Sequence, residues 1–445
     1  MLREKRAERS PEADRGTARG ERPRGAEKGC TTSPANGRRG RAARLLAALA
    51  AGLLLAAPTA RAELAVSAND AKVKLIDGKV TVQQSPPADT VTFIDLRSTP
   101  PKVLAEIEVP NSVVGPPFNV AVSPKEDIAL VASSTKIDPA DPSKQTPDDR
   151  VTVIDIAPLR PSIVGRIKSA VGVKSAPAVP KVLATLTAGK GASGIAINTA
   201  GTLALVANRA EGTVSVFSIA GSTVSPVGKV TVGGENSGPS AIAIAPDGKS
   251  ALVTRDADNR ISVLAIDGTT VTVASREIAA GLRPYAIDVT ASGEVAVVGN
   301  IGIGGGDADT ISVVDLKADP PRVVGTYTVG QTPEGLKISP DGKYVAVTVT
   351  NGSNKAPSSP FYGDHALLQV WSRTGTQLAK IAELPIGHWC QGIAWAANGR
   401  TLLVQCMVEE EITVVRFSGL GGKSMQKAGV IKTKGGPAGI GTARP

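Results

Sequence analysis

VGQTPEGLKISPDGKYVAVTVTN, Val329 to Asn351, is the stretch whose reading decides the fold. Apolar and polar residues alternate from Gly335 to Ser339, Pro340-Asp341-Gly342 punctuates, and alternation resumes from Lys343 to Val349. Proline presets φ for the first turn position and glycine accepts a positive φ at the last, so the stretch predicts a β-hairpin. The hairpin recurs along the chain. Its first strand returns as FNVAVS (Phe118–Ser123), SGIAIN (Ser193–Asn198), SAIAIA (Ser240–Ala245), YAIDVT (Tyr285–Thr290), EGLKIS (Glu334–Ser339), QGIAWA (Gln391–Ala396) and AGIGT (Ala438–Thr442). Six copies run through a short turn into a second strand such as LALVAN or VAVVGN. A third strand of the type TISVVDL follows, then a fourth such as PRVVGTYTVG (Pro321–Gly330).

Four short alternating strands in a unit of roughly 45 residues are the mark of β-propeller blades. The intervals that follow the first and fifth strands of the alignment, from positions 119 and 335, are longer and read as insertions. The last hairpin stops after AGIGT, whereas ELAVSAN (Glu63–Asn69) reads as a second strand lacking a first. Pairing the two closes the ring and removes a free sheet edge. The expectation is an all-β, seven-bladed propeller of four-stranded antiparallel blades over residues 63–445, with the C-terminal strand innermost in the blade that the N-terminal strands complete.

Composition agrees. Apolar residues make up 42% of the chain but aromatics only 3%, so the core must be Val, Ala, Ile and Leu. The net charge of +10 is local: of 50 basic and 40 acidic residues, 14 and 6 fall in residues 1–62, leaving 36 and 34 for the rest. A near-neutral body lacks the basic footprint of a nucleic-acid binder, so no nucleic-acid partner is expected.

Residues 1–37 are charged, rich in Gly and Pro and without periodicity, which reads as a disordered extension. Arg38 to Arg44 (RRGRAAR) then precedes LLAALAAGLLLAA, Leu45 to Ala57, and the small-x-small triplet Ala60-Arg61-Ala62. These three parts describe a secretory signal peptide cut between Ala62 and Glu63. An apolar run of 13 is short for a membrane span, which needs about 20 residues. A periplasmic or secreted product with no span in the mature chain is expected, by the Sec route rather than the twin-arginine one.

The run TISVVDL…PPRVVGTYTVGQTPEGLKISPDGKYVAV (Thr310 to Val347) resembles the YVTN-type propeller repeat of exported and surface bacterial proteins. That group lies close to the lactonase-like and quinoprotein amine dehydrogenase-like propellers. The resemblance covers about residues 63–445 and implies the fold; the superfold hosts unrelated activities.

With the first strand innermost, loops entering it and loops leaving the second strand emerge on one face, and the unusual polar residues gather there. Arg283, Tyr285, Gln331, Glu334, His388 and Trp389 enter first strands; Arg209, Arg255, Asp256, Asn300 and Asn351 leave second strands. The insertions Asp70–Asp89, Ser134–Asp149 and Gly352–His365, and the Gly-rich Ile301–Asp309, emerge there too. Ligand sites favour loops on a rigid scaffold, so these eleven residues are the ligand-binding candidates. Arg209, Arg255 and Arg283 could receive an anion, or could pair with Asp256, Glu211 and their neighbours. His388, one of two histidines, could act as a catalyst or as a hydrogen-bonding residue. No C-x-x-C-H or zinc spacing is present, Gly302–Asp307 lacks the Lys-Ser/Thr of a phosphate loop, and no nucleophile elbow appears, so neither metal nor cofactor is expected.

After the leader only Cys390 and Cys406 remain. A hairpin turning at Ala397-Asn398-Gly399, with Ala396 opposite Arg400, sets the two cysteines opposite each other, where Cα atoms lie about 4.5–5.5 Å apart. An exported compartment would oxidise them to a disulfide.

Three functions compete. The first is a non-catalytic exported module that binds an unidentified protein, polymer or small ligand across the loop-rich face. The second, implied by the resemblance to lactonase-like propellers, is a hydrolase that opens a sugar lactone with His388, Arg283 and Glu334. The third, a redox subunit resembling amine dehydrogenase heavy chains, needs a second subunit or cofactor that this chain does not encode.

Overall fold

A computed structural model describes residues 64–160, 179–418 and 425–444. The leader, the cleavage point at Ala62–Glu63 and most of the Pro158–Pro180 insertion lie outside the described residues.

The opening hairpin forms as strands Pro333–Ile338 and Tyr344–Val349. Gly342 closes its turn at φ +69°, and its N–H donates to the Ser339 carbonyl at 2.8 Å. Six such hairpins start blades two to seven, and in all seven antiparallel sheets the first strand of the repeat is innermost. In chain order the innermost strands of blades two to seven are Val120–Val122, Ala192–Ile197, Pro239–Ile244, Pro284–Val289, Pro333–Ile338 and Cys390–Trp395. Blade one takes its innermost strand, Gly436–Thr442, from the far end of the chain and pairs it with Leu64–Asp70. Thr90–Asp95 and Lys102–Glu108 complete that blade. Closure is as the repeat implied, and Val122 of blade two also bridges Ala443 in parallel.

Why these strands stack is visible in their burial. Second strands such as Leu203–Asn208 and Val295–Asn300 are buried at every position. Alternate side chains therefore enter the interfaces with the two neighbouring blades: Leu64, Val66 and Ala68 pack against blade two, Ala65 against blade seven. One apolar cluster fills each of the seven interfaces. The residues are Val, Ala, Ile and Leu, with Phe93, Phe217 and Phe417 the largest fully buried side chains. Each fully buried Val, Leu or Ile contributes about 1.5–3 kcal/mol, and this repeated contribution holds the ring.

The register differs from the expectation in one respect. Ala396 N–H donates to Thr401, and Ala394 and Trp395 face Leu403 and Leu402, so Arg400 is not the partner of Ala396. A bulge between Cys390 and Ile393 then shifts the pairing by one residue and sets Cys390 opposite Cys406. The two sulfurs are joined at 2.00 Å. The same shift recurs at the start of the innermost strands of blades three to six, between Ala192 and Ile195, Pro239 and Ile242, Pro284 and Ala286, and Pro333 and Gly335. A bulge re-aims side chains at the end of a strand, and here it does so at the loop-rich face.

The insertion Asp70–Asp89 is ordered as a second hairpin, Val73–Ile76 with Lys79–Val82, turning at Asp77-Gly78 with both φ positive. It lies over blade seven. Val73, Leu75 and Val82 pack with Val113, Trp389 and Met407, Lys74 pairs with Glu410 at 3.3 Å, and Gly78 abuts the backbone of Lys355 and Ala356 in blade six. Among the described residues no helix is long and apolar enough to cross a membrane.

Candidate functional site

The site is built where the chain enters the innermost strands. One residue ahead of each of six of them the backbone is left-handed: Gly191, Gly238, Arg283, Thr332, Trp389 and Gly435. Glycine takes this conformation without a steric penalty, but arginine, tryptophan and above all β-branched threonine do not. Blades five, six and seven thus hold a costly backbone at the same rim position where blades one, three and four hold glycine.

Asp256, buried in blade four, organises one side of this mouth. Its Oδ2 accepts from Arg209 Nη2 of blade three at 2.9 Å and from Arg283 Nη2 of blade five at 2.7 Å. Ser240 donates to Oδ1 at 2.9 Å and also meets Arg209. Burial alone would raise the Asp256 pKa, but the hydrogen bond and charge of Arg209, then Arg283 and Ser240, hold it below the usual carboxylate range. The Arg209 guanidinium lies 5.6 Å from the ring centre of Tyr285, a cation–π contact. Burial drives the Tyr285 hydroxyl far above its ordinary pKa, so it stays protonated.

Glu334 stands on the adjoining side. Burial pushes its carboxyl up to about 7, against the opposing effects of the Trp389 and Gln391 hydrogen bonds and the charges of Arg283 and Lys355. The indole Nε1–H of Trp389 donates to Glu334 Oε2 at 3.0 Å, and the Trp389 backbone N–H donates to Ser353 Oγ at 3.0 Å. The Cys390–Cys406 disulfide follows directly, so the indole is fixed between the cross-link and the hairpin above it.

The structure therefore brings Arg209, Asp256, Arg283, Tyr285, Glu334 and Trp389 together, and sends the other candidates elsewhere. His388 turns to Glu409 in its own blade: Nδ1 lies 2.6 Å from Oε1, and the backbone N–H donates to both carboxylate oxygens. Arg255 runs into blade four, reaching Val232 O, Ser262, Asp258 and Glu277. Asn300 donates to Thr310 and Ser312 on the next strand, as Asn208 does to Thr213 and Ser215. Asn351 donates to His365 O, and its own N–H goes to the carbonyl of Gln331. Asn208 and Asn300 are blade-terminal locks, each tying the end of a second strand to the strand beside it. Glu211, a possible partner of Arg209, pairs with Lys229 instead. Ser240, Lys355 and Gln391 join the mouth without having been singled out; Ser240 and Gln391 occupy the same aligned position as Tyr285 and Glu334, which was the available signal. Among the described residues no three of His, Cys, Asp and Glu converge as metal ligands.

Residues 166–281 match the family described as lactonase, 7-bladed beta-propeller. Among solved structures, the periplasmic gluconolactonase of Pseudomonas aeruginosa superposes with a TM-score of 0.62 at 14% identity, over 87% of this chain and 100% of that one. A functionally unknown protein from Desulfotomaculum acetoxidans gives 0.60 at 14%, over 86% and 99%. Hydrazine synthase of Kuenenia stuttgartiensis gives 0.54 at 19%, over 75% and 91%. At these identities the likeness carries the fold. No curated protein matches the chain in sequence. The chain is a seven-bladed β-propeller, and its residues 166–281 are similar to the lactonase-type propeller family.

Proposed function

We propose that the chain is exported and works as a binding module that holds a small anionic ligand of the sugar-acid type in its loop-rich mouth. The observation that carries this reading is the left-handed backbone at Arg283, Thr332 and Trp389, where sister blades have glycine. Such conformations cost on the order of 1 kcal/mol each and are kept where the side chain is needed. Two of the three side chains reach the mouth: Arg283 shares Asp256 with Arg209, leaving one positive charge in excess, and Trp389 orients Glu334. A carboxyl that titrates near 7 can donate to or accept from a hydroxyl of the ligand. The leader and the disulfide support an oxidising, exported location.

A second reading is favoured by Glu334 itself: a half-buried carboxyl near 7 beside a guanidinium is suited to take a proton from water that opens a sugar lactone. His388 has no part in that scheme, since its ring is turned to Glu409. Calorimetric titration with gluconate, beside a pH-stat assay on gluconolactone, separates the readings. Binding of gluconate that weakens about tenfold in Arg283→Met, without turnover, supports the module. Lactone opening that is lost in Glu334→Gln and kept in His388→Ala supports the hydrolase, and silence in both assays removes the sugar-acid ligand class.

A further inference from the structure

The channel does not run open from one face to the other. Phe118 of blade two packs against the apolar clusters of blades four, five and six, across the axis from its own strand. Only about 50 Å³ remains beside it, walled by Ile195, Ile242 and Ile287. Adjoining that gap at the face of the short turns, and sharing Ile244, Lys337 and Arg444 with it, is a cavity of about 340 Å³. Ile244, Pro246, Val289 and Trp395 give it apolar walls, and Asp288, Asp341, Lys337 and Arg444 are its charged groups.

The repeat shows that these charges are a departure. At the fourth aligned position of the innermost strands stand Ala121, Ala196, Ala243, Asp288, Lys337, Ala394 and Gly441. Five blades have a small residue there; the two exceptions are adjacent, opposite in charge and directed to one cavity. Asp288 is fully engaged. It accepts from the backbone N–H of Val289 at 3.1 Å and of Ile338 at 2.9 Å, and Arg444 binds the same carboxylate. Lys337 Nζ is 3.7 Å from Asp288 Oδ1, a long ion pair that leaves its donors available to an occupant. At the inner end two cations share the Asp288 carboxylate, while Asp341 lies exposed at the rim, 3.8 Å from Lys343 Nζ, so the inner end keeps one positive charge in excess. Burial lowers the Lys337 ammonium to about 8, with Asp288 opposing and Arg444 adding to the fall. The volume is that of a small-molecule pocket, and the pattern of apolar walls with few convergent polar groups is that of a ligand site.

We propose that the turn-face cavity is a second ligand site, for a small aromatic carboxylate whose charged end lies between Lys337 and Arg444 and whose ring packs along Trp395. A single excess charge matches a carboxylate, and a guanidinium offers it a paired hydrogen bond. The indole of Trp395 is anchored by its Nε1–H to the Lys337 carbonyl at 3.1 Å, which fixes both groups in one frame.

Calorimetric titration of the full chain with indole-3-acetate, and with indole-3-acetamide as its uncharged counterpart, tests the site. The carboxylate should bind at least tenfold more tightly than the amide. Lys337→Met, which keeps the apolar stem, should weaken it about tenfold, while Lys427→Gln, on an exposed outer strand, should leave it unchanged. Arg444→Gln, beyond the last strand, gives the same test if the Lys337 variant does not fold. Equal affinity for acid and amide, no binding at millimolar indole-3-acetate, or binding that Arg283→Met removes and Lys337→Met and Arg444→Gln spare would overturn the proposal.

Discussion

The two ends of the channel are built on opposite plans. At the loop-rich end, long connections and side chains from neighbouring blades interlock: Arg209, Asp256 and Arg283 join blades three to five, and Trp389 and Glu334 join blades seven and six. At the other end, short turns such as Pro340-Asp341-Gly342 stay at the rim, and a cavity of about 340 Å³ opens behind them. The mouth is thus tied together by ion pairs between blades, whereas at the turn face Lys337 makes only a long ion pair beside an open cavity.

The contrast can be tested by disturbing one end at a time. The largest effect should come from the cross-link at the loop-rich end. Replacing Cys390 and Cys406 together by serine frees a loop of separation 16 and should cost about 3 kcal/mol in denaturant unfolding. Indole-3-acetate binding at the turn face should survive below the unfolding transition, because the disulfide lies on the other side of Phe118. If both are lost together, the two ends are not independent.

A smaller effect concerns pH. The folded chain holds the Glu334 proton up to about 7, against an ordinary value of 4.5. The folded state therefore binds more protons than the unfolded chain between those values, and stability falls as pH rises through the window. The contribution is complete below 4.5 and absent above about 7. Glu334→Gln, which can still accept from Trp389, should flatten this dependence, with a relative gain of about 2 kcal/mol at pH 8 over pH 4.5. Urea midpoints at the two values measure it, and parallel curves for both proteins would remove the Glu334 proton from the account.

The smallest effect should be a gain. Thr332→Gly places at φ +56° the residue suited to it and should stabilise the chain by about 0.5–1 kcal/mol, since relief of a β-branched left-handed residue exceeds the added freedom of the unfolded chain. The ligand-free melting temperature records it; a loss would mean that the Thr332 side chain does more than occupy the rim.

The fold was legible because each blade repeats the same local chemistry: alternation, a turn with glycine or asparagine, alternation again. The disulfide was also legible, although by a route that the structure amends. The expected Ala396–Arg400 pairing is displaced by one residue, and the entry bulge supplies the displacement that restores Cys390 to Cys406. Spacing counts residues across a turn but does not reveal where a strand will bulge. The mouth was partly legible. Arg209, Asp256, Arg283 and Glu334 stood out as charges on converging loops, whereas nothing in the local sequence distinguished them from Arg255, Asn300 or His388, whose side chains turn into their own blades. Phe118 carried no signal as a plug, because its role depends on what stands across the axis. Asp288 and Lys337 did carry one: a charge in a strand position that sister blades fill with alanine or glycine.

Ring closure also sets an order of assembly. Blade one is complete only once Gly436–Thr442 meets Leu64–Asp70, and residue 65 with residue 442 is the longest-range strand pairing among the described residues. Such a pairing carries a large loop-closure cost and forms slowly. Arg444 lies two residues beyond that strand, and its contact with Asp288 ties the closing strand to blade five. The turn-face cavity is therefore complete only in a chain that has finished closing. A nascent or partly opened ring would lack it, so an occupant of that cavity would bind the closed ring in preference to every earlier state and act as a latch on the fold.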